Sequence, residues 1–218
     1  MKDFPTLYCI SGLGADERVF QFLNLPDFKL VFVKWEIPFP QESLSEYCKR
    51  LLPQINQQEE IILMGVSFGG IIAQEISRLI PVKKIILISS IKSPQEMDWK
   101  MRWVSATRFY AIFPATVLKW MNLLTADYYF SVESKKESHL LRQIILDTDL
   151  KFSQWAISKI MNWKPEKITT ARVHIHGSRD RIFPPSTIKN FTEIKKAGHF
   201  MIVNRAEAIS RLIQEELN

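Results

Sequence analysis

Ile61-Ile62-Leu63-Met64-Gly65-Val66-Ser67-Phe68-Gly69-Gly70-Ile71-Ile72 is the stretch that decides the fold of this 218-residue chain. An apolar run enters a G-x-S-x-G motif, and an apolar run with helical spacing leaves it. The motif alone is weak, since chance supplies it in roughly one chain in fifteen of this length. The flanks give it meaning. A strand that turns sharply into a helix holds its serine on a strained backbone at the tip. Side chains two residues on either side would collide, which accounts for Gly65 and Gly69. The first N–H groups of the helix point at the serine and favour an oxyanion there.

The neighbouring sequence repeats this rhythm. Six short runs read as buried strands: Leu7 to Ser11, Lys29 to Val33, Glu60 to Val66, Lys84 to Ser89, Arg172 to His176 and Thr192 to Lys196. Several are nearly continuous in Ile, Leu and Val, as in parallel strands covered on both faces. Helical patterns separate most of them. Leu44, Tyr47, Cys48, Leu51, Leu52 and Ile55 form one apolar stripe, opened by a Ser43/Glu46 capping box and shortened or kinked by Pro53. Ile72, Ile76, Leu79 and Ile80 mark a second helix, stopped by Pro81. Ile209, Leu212, Ile213 and Leu217 mark the last, with Asn204 and Glu207 placed to cap it. The alternation predicts a three-layer α/β fold.

A serine hydroxyl needs a base, and the base needs an orienting acid. Four histidines are available. His199 follows Gly198 in a loop after the last strand, on the edge where open α/β sheets build their sites. His139 lies in a polar stretch expected to be solvated. His174 and His176 share one face of a strand, as packed or hydrogen-bonded residues do. Asp180 is the acid candidate. It stands in Gly177-Ser178-Arg179-Asp180-Arg181-Ile182-Phe183-Pro184-Pro185, beyond the fifth strand. Pairing with Arg179 or Arg181, or capping of the next helix, is the alternative role for it.

The order Ser67, Asp180, His199, with the elbow, the G-S-R-D-R-I-F-P-P segment and an A-G-H-F segment, resembles the α/β-hydrolase superfamily across nearly the whole chain. The resemblance implies Ser67 as nucleophile, His199 as general base and acid, and Asp180 as orienting acid. It implies backbone N–H groups of Leu13 and Phe68 as oxyanion donors. Ser11 stands in Ser11-Gly12-Leu13-Gly14 where the family usually has histidine. The six strands match the family's last six, which implies a mostly parallel sheet in the order 2-1-3-4-5-6. That order opens a crevice at the carboxyl ends of strands one and three, beside Leu13 and Ser67.

Residues 93–163 break the rhythm. They carry no convincing strand, are interrupted by Pro114, and hold Trp99, Trp103, Trp120, Trp155 and Trp163, five of the chain's six tryptophans. The resemblance implies a helical cap there, inserted into a core of residues 1–92 and 164–218. Most of its aromatics are expected to bury the cap on the core, and some to line a pocket for a hydrophobic moiety.

The net charge of +6 is scattered, and no nucleic-acid-binding motif accompanies it. Cys9 and Cys48 read as small buried hydrophobes. The start, MKDFPTLYCISGLG, lacks the apolar segment of a signal peptide, and no run is long enough to span a membrane. The expectation is a cytoplasmic enzyme acting on a small molecule, with no nucleic-acid or membrane partner, no metal and no cofactor. Its oligomeric state stays open. The expected reaction is hydrolysis of an ester, thioester or amide through an acyl-enzyme. A cofactor-free lyase or a perhydrolase would reuse the same three residues. A metal-dependent hydrolase, suggested by His174-x-His176 with Asp180 and His199, lacks the rest of the usual ligand pattern. A non-catalytic binding module would not need all three groups.

Overall fold

The computed structural model describes residues 4–108, 113–165 and 170–217. Six parallel strands form one sheet: β1 (Thr6–Ile10), β2 (Lys29–Val33), β3 (Ile62–Val66), β4 (Lys84–Ile88), β5 (Ala171–Gly177) and β6 (Thr192–Ile194). Their order is β2-β1-β3-β4-β5-β6, as expected. Between them run α1 (Leu44–Leu51), α2 (Phe68–Ile76), α3 (Trp99–Thr107), α4 (Ala115–Tyr129), α5 (Lys135–Asp147) and α6 (Leu150–Met161), followed by α7 (Met201–Asn204) and α8 (Ala206–Leu217).

Side chains alternate across the sheet and build two cores. Tyr8, Ile10, Leu63, Ile85 and Leu87 face α1 and α2, where Tyr47, Cys48, Leu51, Ile72 and Ile76 meet them. Leu7, Cys9, Ile62, Met64, Ile86 and Ile88 face the opposite way, toward Ile209 and Ile213 of α8. All of these residues are buried. Every residue of α2 is buried, because the helix lies between the sheet and α6. The middle strands therefore have no polar face to show, which is why they read as unbroken Ile, Leu and Val.

Local chemistry sets the element ends. The Ser43/Glu46 capping box starts α1, and a 3₁₀ turn containing Pro53 follows its end at Leu51. α2 stops at Ile76, four residues before the apolar pattern does; Leu79 and Ile80 close on Ile76 through turns. β6 is short because it pairs only with Ile175 to Gly177, and Lys196 takes a φ of +60° that ends the extended run. Asn204 does not cap α8. Its amide donates to the Glu137 carboxylate, while Arg205 supplies the carbonyl that receives Ile209 N–H.

Among its described residues, the 93–163 stretch carries α3 to α6 and no strand. It straddles the carboxyl edge of the sheet: Phe152, Ala156 and Ile160 of α6 join one core, and Leu123, Leu141, Ile144 and Ile145 of α4 and α5 join the other. At its end Trp163 Nε1 donates to buried Glu75 Oε1 at 2.8 Å, tying the stretch to α2. The tryptophans divide differently from expectation. Trp155 and Trp163 pack inward, but Trp99, Trp103 and Trp120 are 68%, 56% and 67% exposed. α4 buries Leu123 and Ala126 instead, and α3 has no fully buried residue.

On β5, His174 and His176 are both buried. Burial, with the nearby charges of His176 and Lys92, pushes His174 down from 6.5 to about 3. An unfolded chain protonates this histidine near pH 6.5, whereas the folded chain resists until about pH 3. Between those values the unfolded state binds more protons, so stability falls as pH falls. The slope from this group approaches about 1.4 kcal/mol per pH unit. Urea unfolding at pH 7, 6 and 5 checks this: His174→Gln should lose less stability over that range than wild type. Equal slopes would remove the assignment to His174.

Candidate active site

Every loop at the carboxyl edge contributes to one place. Ser67 follows β3 with φ +53° and ψ −118°, a backbone conformation that non-glycine residues rarely adopt. The strain is held by its surroundings. Ser67 N–H donates to Ile88 O at 2.9 Å, and Ser67 O accepts Gly70 N–H at 3.0 Å. Ser90 Oγ–H donates to the same carbonyl at 2.7 Å. A Cβ on Gly65 would stand 2.3 Å from Gly69 O, and one on Gly69 would stand 2.2 Å from Ile10 O. Both neighbours are backbone atoms, so neither can swing aside. The two motif glycines are therefore required by contact.

His199 reaches this turn from the loop after β6. Its Nε2 is 3.0 Å from Ser67 Oγ, and its Nδ1 is 2.8 Å from Asp180 Oδ2. A carboxylate can only accept there, so Nδ1 carries the proton and Nε2 is left to accept from the serine. The other carboxylate oxygen of Asp180 accepts Ile182 N–H and Phe183 N–H, both at 2.9 Å. Asp180 is buried, and it pairs with neither adjacent arginine: Arg181 instead donates to Tyr128 O and lies 4.2 Å from that ring's centre. Phe130 and Phe183 stand edge-on to the His199 ring, at 5.4 and 5.7 Å.

His176 lies behind this group. Its Nε2 donates to Phe183 O at 2.8 Å and stands 3.5 Å from Asp180 Oδ2. Burial, the largest influence, holds its pKa below the ordinary range, although Asp180 opposes it. A neutral His176 leaves Asp180 free to serve His199. His139 is exposed on α5, away from these groups. Among the described residues, no group of three or more His, Cys, Asp or Glu side chains is placed to hold a metal ion.

The loop after β1 is pinned by Ser11. Ser11 Oγ donates to Ala15 O at 2.6 Å and accepts Trp35 Nε1–H at 2.9 Å. Ala15 N–H closes the turn on Gly12 O at 3.0 Å. Trp35 in turn stacks on Phe68 at 5.6 Å. Among the described residues, no backbone carbonyl takes the N–H of Leu13 or Phe68. Both donors are thus unspent, on the two loops that flank Ser67.

A cavity of about 340 Å³ opens from Ser67 and His199. Leu13, Leu118, Phe130, Ile144, Ile157 and Phe183 are among its lining residues, and no tryptophan is. The wall is mostly aliphatic, and among the described aromatics of residues 93–163 Phe130 lines it. Residues the sequence did not single out include Ser90, Thr148 and Lys119. Lys119 had a signal, being the lone cation in Val117-Leu118-Lys119-Trp120-Met121-Asn122-Leu123-Leu124.

No family model matches the chain, and no curated protein matches it in sequence. Solved structures do resemble it. A hydrolase from Pseudomonas aeruginosa is 13% identical with a TM-score of 0.74, covering 100% of this chain and 91% of that one. A hydrolase from Oleispira antarctica is 17% identical with a TM-score of 0.71, covering 99% and 92%. A thermophilic esterase from Thermogutta terrifontis is 19% identical with a TM-score of 0.67, covering 98% and 89%. At such identities the likeness is one of fold.

Ser11→Ala tests the pinning of the first loop. It would leave the half-buried Trp35 N–H with Ala15 O as its acceptor and should lower the unfolding free energy by about 0.5–1.5 kcal/mol. Urea titration followed by tryptophan fluorescence measures this. A variant as stable as wild type would show that Ala15 O alone suffices.

Proposed function

We propose that this chain, which has the α/β-hydrolase fold, is a serine hydrolase that cleaves esters or thioesters of a small, largely apolar substrate. One observation carries the reading: Ser67 Oγ, His199 and Asp180 form a hydrogen-bonded chain at 3.0 and 2.8 Å, opening on an aliphatic cavity. Other hydrolases and an esterase among the solved structures share the fold, which raises the prior without fixing the reaction.

The steps follow from the geometry. Ser67 Oγ attacks the substrate carbonyl carbon while His199 Nε2 takes its proton. Asp180 stabilises the resulting imidazolium through Nδ1–H. The carbonyl oxygen becomes an oxyanion and moves toward the free N–H groups of Leu13 and Phe68. Each such donor is worth about 10²–10³ in rate in sites of this kind. His199 then returns the proton to the leaving oxygen or sulfur as the C–O or C–S bond breaks. Water, activated by the same nitrogen, cleaves the acyl-enzyme and frees the carboxylic acid and Ser67. Phe130 and Phe183 keep bulk water from the imidazole during these transfers.

In this reading α3 to α6 act as a cap that supplies most of the cavity wall. The molecule's partner is a small substrate, and the chemistry needs no metal or cofactor. Among the described residues, no helix is long and apolar enough to cross a membrane. The buried free thiols of Cys9 and Cys48 are compatible with the cytoplasm.

A fluorophosphonate probe should label wild-type protein at Ser67 and leave Ser67→Ala unlabelled, as read by mass spectrometry of the modified peptide. Folded wild type that resists the probe would sink the nucleophile assignment. Asp180→Asn should reduce kcat on p-nitrophenyl esters by about 10²–10⁴-fold. Unchanged turnover would require another acid to orient His199.

A further inference from the structure

The cavity beside Ser67 holds one charge that the proposed reaction does not use. None of its described lining residues is Asp or Glu, and Lys119 is the only one with a fixed positive charge. Lys119 is half-buried on α4, among Leu118, Ile144, Ile145 and Ile157 of the same wall. Its ammonium donates to Leu146 O at 2.6 Å and Thr148 O at 3.1 Å. Those carbonyls lie at the carboxyl end of α5, where a cation is favoured. They orient the ammonium without neutralising it. An ammonium has three N–H donors, so one remains. Among the described residues no carboxylate pairs with it.

Asn122 supplies a second observation. It stands one turn further along α4 and lines the same cavity. Its side chain is half-buried, and its amide has no protein partner among the described residues. Asn122 is three residues from Lys119 on α4, and its amide, being open to solvent, is available to a ligand in the cavity. The site also touches the loop after β1: Thr148, whose carbonyl holds the ammonium, has its hydroxyl within hydrogen-bond distance of both Ile144 O, at 2.7 Å, and Gly14 O, at 2.9 Å. The residue that seats the cation thus leans on the loop that carries Leu13.

A cation on an apolar wall loses hydration, and an anion brought to it restores the lost stabilisation. Resting on the hydrolase reading, we infer that the substrate carries an anionic group, carboxylate or phosphate, bound by Lys119 and Asn122. Its apolar part fills the cavity, and its ester or thioester carbonyl lies at Ser67. Lys119 is then a specificity-determining residue. It discriminates by charge among substrates of similar length.

Two matched pairs test this. Mono-p-nitrophenyl adipate against p-nitrophenyl hexanoate puts the anion on the acyl side. The hexanoate ester of 4-hydroxyphenyl phosphate against phenyl hexanoate puts it on the leaving side. Wild type should favour the anionic member of one pair in kcat/KM, and the pair concerned identifies the source of the anion. Lys119→Met should cut that anionic-to-neutral ratio by about 10- to 100-fold, and Lys119→Arg should retain most of it. Added salt should weaken the preference. Equal treatment of both members in both pairs, or a Lys119→Met variant that lowers both members alike, would overturn the inference and leave Lys119 as a cap for α5. Calorimetry on Ser67→Ala, with monomethyl adipate and 4-hydroxyphenyl phosphate as probes, needs no turnover. Binding of either probe that disappears in the Ser67→Ala, Lys119→Met double variant supports the anion subsite even if wild type hydrolyses nothing and resists fluorophosphonate. Binding of neither, or binding indifferent to Lys119, overturns it even if Ser67 is labelled.

Discussion

Where β3 turns into α2, three backbones meet at distances that leave no room for a methyl group. Gly65 lies against the Gly69 carbonyl, and Gly69 lies against the carbonyls of Ile10 and Ser11 at the end of β1. Much else follows from this approach. It forces Ser67 into its positive-φ turn and exposes its hydroxyl on the carboxyl edge of the sheet. It also brings the loop after β1 beside the start of α2, so two strands adjacent in space supply unspent N–H groups on either side of one serine. The arrangement requires β1 and β3 to be neighbours, which the 2-1-3-4-5-6 order provides. Strain at the serine is paid for by ordinary ladder bonds and by the Ser90 hydroxyl beneath it.

The central features were legible because their physics is local or periodic. Buried parallel strands demand continuous apolar runs, and β1, β3 and β4 lie where such runs stand, whereas the edge strand β6 is Thr192–Ile194 with only Ile194 buried. The elbow advertises itself through glycines that contact alone requires. Asp180 and His199 were legible through their order and through loops that end strands. Their distances were not, since these depend on how far each loop reaches. Ser11 was read only as a departure from the family's usual histidine. Its partner, the Trp35 indole, comes from a strand-end loop 24 residues away.

The stretch from 93 to 163 was legible as helical and little more. Tryptophan is ordinarily a buried, high-area residue, so five of them suggested a packed aromatic interface. α4, α5 and α6 bury Leu and Ile on their inner faces, α3 buries no residue fully, and Trp99, Trp103 and Trp120 stay outside. Composition cannot tell which face of a helix meets the core when both faces are apolar. The same ambiguity hid Lys119, a cation that points inward from a helix whose outer face is greasy. Strand and helix ends moved by one to four residues for a related reason. They are set by where a neighbour's backbone stops, as with β6 and Gly177.

The His199 loop is not held by the sheet alone. Phe200 N–H donates to Phe130 O at 3.1 Å, and the Phe130 ring stands edge-on to the imidazole. Phe130 is the residue that ends α4. The end of the helix that walls the cavity is therefore hydrogen-bonded to the loop that carries His199. Phe130 also lines the cavity, so whatever fills that space touches the same ring that stands edge-on to the His199 imidazole.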